Sequence, residues 1–134
     1  MQYSLCIDSI YPKENLEEKL TRIKQAGFKF IEFWDWRDKD FNLIMNSGLK
    51  VSNFSGNRIS SLTLDDKEKI IQEVNASIDA AKRLKCDRVM LLSDILEGDG
   101  SVKINSISSE KNCFAYMIIL EFLLRLLKRE TLCW

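Results

Sequence analysis

The stretch Gly27-Phe-Lys-Phe-Ile-Glu-Phe-Trp-Asp-Trp36 decides the fold, because it reads as one β-strand entered directly from a helix. Side chains on a strand alternate between faces, so Phe30, Glu32, Trp34 and Trp36 are expected on one side and Ile31, Phe33 and Asp35 on the other. A carboxylate in so apolar a strand is costly to bury unless a charge or a hydrogen-bonding group meets it. The even-numbered face is therefore the candidate working face.

Upstream, residues 3–8 (Tyr-Ser-Leu-Cys-Ile-Asp) form a short apolar run, followed by the only proline, Pro12. Asn15 is a good helix N-cap, and Glu18 three positions on completes a capping-box pattern. Leu16, Leu20 and Ile23 then recur at helical spacing, and Gly27 fits the position just past the helix end. A strand followed by a helix thus leads into the opening stretch, whose own strand is expected over about 29–34.

Downstream, Asp38 to Asn46 predicts a short helix with Phe41 and Ile44 or Met45 on one face, ended by Gly48. Leu49-Lys-Val-Ser-Asn-Phe54 reads as a third strand, with Ser-Gly-Asn57 as its exit loop. Asp65 with Glu68 repeats the capping pattern, and Ile70, Ile71, Val74, Ile78, Ala81 and Leu84 run along one helical face. Asp87-Arg-Val-Met-Leu-Leu92 is a fourth strand, a nearly continuous apolar run of the kind buried on both sides of a parallel sheet. Beyond it, Leu-Glu-Gly-Asp-Gly100 is a loop, and 114–129 is helical with Glu121, Arg125, Lys128 and Arg129 in one narrow stripe. That last segment has too many charges and too few residues to span a bilayer.

Strand–helix units of roughly 30 residues each argue for an α/β fold with a parallel sheet and right-handed crossovers. Two architectures fit: an open doubly wound sheet, or part of an eight-unit barrel, which needs about 250 residues when complete. The first strand–helix turn lacks the glycine pattern of a dinucleotide-binding fold, and no P-loop signature occurs.

Twenty basic and twenty acidic residues cancel, which removes any general electrostatic case for nucleic acid or an anionic membrane. No basic n-region followed by a long apolar run opens the chain, so a cytoplasmic location is expected. The four cysteines, Cys6, Cys86, Cys113 and Cys133, lack metal or redox spacing and read as buried free thiols. The chain contains no histidine, which excludes Ser-His and Cys-His nucleophile pairs and removes the commonest transition-metal ligand.

Three segments together resemble a known family: Gly27-Phe-Lys-Phe-Ile-Glu-Phe-Trp-Asp-Trp-Arg-Asp-Lys-Asp40, Gly48-Leu-Lys-Val-Ser-Asn-Phe-Ser-Gly56 and Ala80-Ala-Lys-Arg-Leu-Lys-Cys-Asp-Arg-Val-Met-Leu-Leu92. They are similar to the N-terminal half of the xylose isomerase-like TIM barrels, and within these to the hydroxypyruvate isomerase branch of sugar isomerases and epimerases. The resemblance covers roughly residues 1–112 and fades over 113–134, and Ile-Glu-Phe-Trp34 is its most specific part. It implies one partial barrel of four βα units over 1–134, from a family acting in carbohydrate metabolism on small hydroxy-carbonyl substrates. In that family a divalent metal held by carboxylates and a histidine polarises the substrate, and glutamates move the proton. Those groups sit mainly on the fifth to eighth strands, so no catalytic residue is carried over to this chain and no cofactor is expected within it. A divalent metal belongs to the complete barrel. A half barrel is expected to be incompetent alone and to self-associate or take a complementary chain. The alternative is a small α/β binding or interaction domain without catalysis.

Barrel sites lie at the C-terminal ends of strands, which nominates Glu32, Trp34 and Trp36 as substrate-binding residues, with Asn53, Ser55 and Ser93 as small polar groups able to orient hydroxyls. Asp8 ends the first strand in the same way. Each has a plainer reading: Glu32 as a structural carboxylate, the tryptophans as packing, the small residues as loop chemistry. The charge run Asp35 to Asp40 reads as a solvated helix start, and Glu97 with Asp99 is too small a set for a metal site.

Overall fold

The computed structural model describes residues 3–61, 66–92 and Ser101. In chain order these form β1 (Ser4–Cys6), α1 (Leu16–Gln25), β2 (Phe30–Phe33), α2 (Phe41–Ser47), β3 (Lys50–Ser55), α3 (Lys67–Leu84) and β4 (Val89–Met90). The four strands make one all-parallel sheet in the order β1-β2-β3-β4. That order settles the choice between the two architectures. A doubly wound sheet reverses direction at a switch point, whereas here each new strand adds to the same edge, as in a barrel wall.

The sequence signals act where they were read. Asn15 caps α1, its side chain accepting from the Glu18 N–H at 2.9 Å while Glu18 accepts from the Asn15 N–H at 3.1 Å. Gly27 follows the helix with φ of +85°, a conformation that favours glycine. Gly48 ends α2 in the same left-handed region, at φ of +77°. Two starts fall later than expected: α2 begins at Phe41 behind an Asp40 cap rather than at Asp38, and α3 begins at Lys67 behind Asp66. Asp66 makes no side-chain cap bond, and Asp65 lies outside the described residues.

One face of the sheet meets the helices. Ile31 and Phe33 from β2 and Val51 and Phe54 from β3 are buried in one cluster with Leu20 and Ile23 of α1, Phe41 and Ile44 of α2 and Ala80, Ala81 and Leu84 of α3. Phe33 and Phe54 stack at 5.3 Å between ring centroids, as register partners on adjacent strands should. Burying a side chain of this size contributes about 1.5–3 kcal/mol, so this layer fixes which face of each strand looks inward.

β4 corrects the expectation of a strand buried on both sides. Only Val89 and Met90 pair with β3, and Met90 is 46% exposed because β4 is the edge strand among the described residues. Cys86 is buried and free, its thiol pushed up by burial, and Cys6 is half-buried. Cys113, Cys133, Glu97, Asp99 and the segment 114–129, expected to be helical, all lie outside the described residues. Among those described, no helix is long and apolar enough to cross a membrane.

Candidate functional site

The face of the sheet turned away from the helices is polar around Glu32, where a bulge interrupts the pairing of β2 with β3. Ile31 pairs with Val51, but Glu32 pairs with Asn53, so Ser52 is an extra residue on β3. The Ser52 hydroxyl donates to the Ile31 carbonyl at 3.1 Å. It lies 2.6 Å from the Ser4 hydroxyl, which must then be the donor to it, since a hydroxyl carries one proton. Asn53 Nδ2 donates to Glu32 Oε2 at 2.8 Å. The register also sets Cys6 opposite Glu32. A polar ladder therefore crosses β1, β2 and β3, and Glu32 receives the donor its position required.

These groups line an open concavity of about 340 Å³ whose wall also includes Tyr3, Phe30, Asp87 and Arg88. Glu32 and Asn53 lie furthest along their strands among its lining residues, so they mark the limit of the concavity toward the C-terminal ends. Among the described residues, Glu32 Oε1 has no hydrogen-bond partner and is available to a ligand hydroxyl.

The two tryptophans do not share this face. Strand pairing stops at Phe33, and the Trp34 N–H is taken by the Asp8 carboxylate at 2.6 Å, which ends the alternation. Trp34 is left 48% exposed at the rim. Trp36 turns back toward the helices: it packs on the core beside Phe41, and its Nε1–H donates to Ser77 Oγ of α3 at 2.9 Å. Ser55 is 1% exposed at the end of β3, opposite Met90, and so is walled off from the concavity. Ser93 lies outside the described residues.

The charge run from Asp35 to Asp40 is not solvated as expected. The Lys39 side chain is 7% exposed, paired with Asp8 at 2.8 Å and Asp38 at 2.6 Å. Burial would lower its pKa, but the bonds to Asp38 and Asp8 win and hold it above its ordinary value. Arg37 bridges Asp35 and the buried Glu73 of α3. Asp35 is held below its ordinary range: partial burial alone would raise it, and the Arg37 N–H and guanidinium outweigh that.

Glu73 is the group that sequence reading missed. Its Oε1 accepts the Arg58 and Ile59 N–H groups at 2.8 and 2.9 Å, and its Oε2 accepts the Ser60 N–H at 2.7 Å together with the Ser60 hydroxyl. Burial would raise its pKa, but the Ser60 hydroxyl, the Ile59 and Ser60 N–H groups and Arg37 lower it on balance. Asn57 does comparable work one loop position earlier, bonding both the N–H and the carbonyl of Leu92 and so tying the exits of β3 and β4 together.

Among the described residues, no three His, Cys, Asp or Glu side chains converge on one point. Glu32 stands as a single carboxylate with one oxygen already engaged, so these residues do not by themselves fit a divalent metal.

Solved structures match this arrangement. An AP endonuclease, family 2, from Brucella melitensis superposes with a TM-score of 0.61 at 20% identity, over 73% of this chain and 43% of that one. A xylose isomerase domain-containing protein from Salmonella typhimurium LT2 superposes with a TM-score of 0.61 at 14% identity, over 92% and 46%. The fold is that of part of a TIM barrel. This chain spans less than half the length of either structure. At these identities the likeness concerns fold alone, and the two names point to different chemistries, so function has to be argued from the site. No family model and no curated protein sequence matches the chain.

Proposed function

We propose that this chain supplies the N-terminal, substrate-binding wall of a sugar isomerase or epimerase of the xylose isomerase-like type, in the hydroxypyruvate isomerase branch. The observation that carries the reading is the Glu32–Asn53 pair, with one Glu32 oxygen left open on a concave polar face. An acceptor oxygen beside an amide, flanked by the Ser4 and Ser52 hydroxyls, suits a small molecule rich in hydroxyl and carbonyl groups. Trp34 at the rim offers a flat apolar surface to such a ligand. Trp36, Ser55 and Ser93 carry no part of this proposal.

Proton abstraction next to a carbonyl needs a base and an electrophile held on opposite sides of the substrate. One wall of a barrel provides neither arrangement alone. On this reading the isolated chain binds without turnover, and a divalent metal, the remaining strands and the catalytic carboxylates come from elements beyond β4 or from another chain, in a cytoplasmic assembly. The balanced net charge gives no support to a nucleic-acid substrate of the kind that the endonuclease's name implies for that protein.

The test is titration of the chain with hydroxypyruvate, followed by calorimetry and by amide NMR of the Glu32 and Asn53 signals. Saturable binding in the millimolar range, weakened at least about tenfold by Glu32→Gln, is the expected result. Absence of binding, or equal binding by the variant, overturns the site. Measurable isomerase turnover by the isolated chain, with or without added magnesium or manganese, overturns its incompetence alone. A small α/β binding domain remains the second reading, favoured if ligand binds but no complementary chain restores turnover.

A further inference from the structure

The loop between β3 and α3 turns three successive N–H groups, those of Arg58, Ile59 and Ser60, onto one carboxylate. The Ser60 hydroxyl and the Arg37 guanidinium close on the same two oxygens. Successive backbone donors gathered in this way form a concavity that binds anions, and a guanidinium and a hydroxyl add donors suited to a carboxylate or phosphate. All five donors converge from two different loops, while the anion itself comes from a helix: Glu73, whose side chain is 6% exposed.

We propose that the β3–α3 loop of this chain, together with Arg37, is an oxyanion receptor of the carboxylate and phosphate class, and that Glu73 is its built-in ligand. The receptor is separate from the Glu32 face and does not depend on what that face binds. Its geometry has a structural consequence. The loop after β2 and the loop after β3 meet at this carboxylate, and one turn along α3 Ser77 repeats the link, accepting from Trp36 Nε1–H at 2.9 Å and donating to the Gly56 carbonyl at 2.7 Å. Residues four apart share a helical face, so α3 holds both rim loops through one polar seam. An anion in the receptor sets the order of both loops at once.

Deleting the built-in ligand opens the receptor to an external one. The 134-residue chain carrying Glu73→Ala is compared with the unaltered chain by thermal melting in sodium formate, sodium acetate and sodium phosphate, against sodium chloride at matched ionic strength. The expected result is a variant with a lowered melting temperature that formate or acetate raises by about 4 °C at ten times the dissociation constant, with no such rise in the unaltered chain. Rescue should be lost when Arg37→Ala is added. A rise in chloride equal to that in formate, or an equal rise in the unaltered chain, overturns the proposal. Should Glu73→Ala fail to fold, Glu73→Gln is read by hydrogen exchange. Exchange of the Arg58, Ile59 and Ser60 amides at least about tenfold faster, with the sheet unchanged, supports the receptor, and unchanged exchange at these amides overturns it.

Discussion

Asn53 donates its side-chain amide to Glu32 across β3 and β2 at 2.8 Å, and a one-residue bulge is what brings the two opposite each other. In an unbulged register continued from Ile31 and Val51, Ser52 would lie opposite Glu32 and Asn53 opposite Phe33, on the side of the sheet that meets the helices. The bulge therefore converts an alternating strand into a polar surface two residues wide. Asn53→Ala should cost about 1 kcal/mol in stability, the usual net worth of one such bond, and should weaken hydroxypyruvate binding about as much as Glu32→Gln does. Chemical denaturation and calorimetry on the same variants check both. A large loss of stability with unchanged binding would make the pair a structural one.

Stability in acid should depend on Glu73. Its folded-state pKa lies below the ordinary 4.5, so the unfolded chain takes up the proton first and acid favours unfolding. The stability it supplies is fully present above about pH 4.5 and is lost as pH falls through the folded value. Glu73→Gln should flatten that part of the pH–stability profile. It should also cost about 3 kcal/mol at neutral pH, because buried donors lose their charged acceptor. Urea melts at a series of pH values measure both effects.

What could be read beforehand follows from the range of each interaction. Helix caps at Asn15 and glycine ends at Gly27 and Gly48 are local signals, and they appear where the sequence puts them. The face of β2 that carries Glu32 was legible because strand alternation is local too. Trp36 was misplaced because Asp8, 26 residues before Trp34, captures the Trp34 N–H and ends the strand, which no periodicity announces. Glu73 left one usable signal. It sits on the stripe of α3 that buries Ile70, Val74 and Ser77, and the argument applied to Glu32, that a carboxylate among apolar neighbours needs a partner, applies to it equally. The partner loop itself could not be named from sequence, since three of its four donors are backbone N–H groups that any residue carries.

Base should find Lys39. Its pKa is raised above the ordinary 10.5 by the bonds to Asp38 and Asp8 that outweigh burial. A raised value in a cationic group means stability fully present below about pH 10.5 and lost as pH rises through the folded value. Lys39→Met keeps most of the apolar length of the side chain and removes the charge, together with the Nζ that lies 5.8 Å from the Phe33 ring centroid. The variant should lose the alkaline decline attributable to this group and be less stable at neutral pH, because Asp8 is left without its cation. Thermal melts between neutral and strongly alkaline pH distinguish this from a simple packing defect, which would lower stability equally at every pH.

Gly56, just past the end of β3, sits against β4. Its N–H donates to the Met90 carbonyl at 2.8 Å, and its own carbonyl accepts from Ser77. A Cβ placed there would press into Val89 Cγ1 and sit 3.3 Å from Leu91 Cδ2. Valine is stiff about its first side-chain torsion and cannot swing clear, so the strain must pass to the backbone pairing at the edge of the sheet. Gly56→Ala should therefore destabilise by about 1–3 kcal/mol despite its small size. Removing the obstacle should undo this. In Gly56→Ala/Val89→Ala the two changes ought to be less costly together than the sum of their separate effects, by at least about 0.5 kcal/mol, the size of coupling expected between touching residues. Equilibrium urea unfolding of the two single variants and the double variant provides that comparison, and strict additivity would mean that the glycine is held for some reason other than contact with Val89.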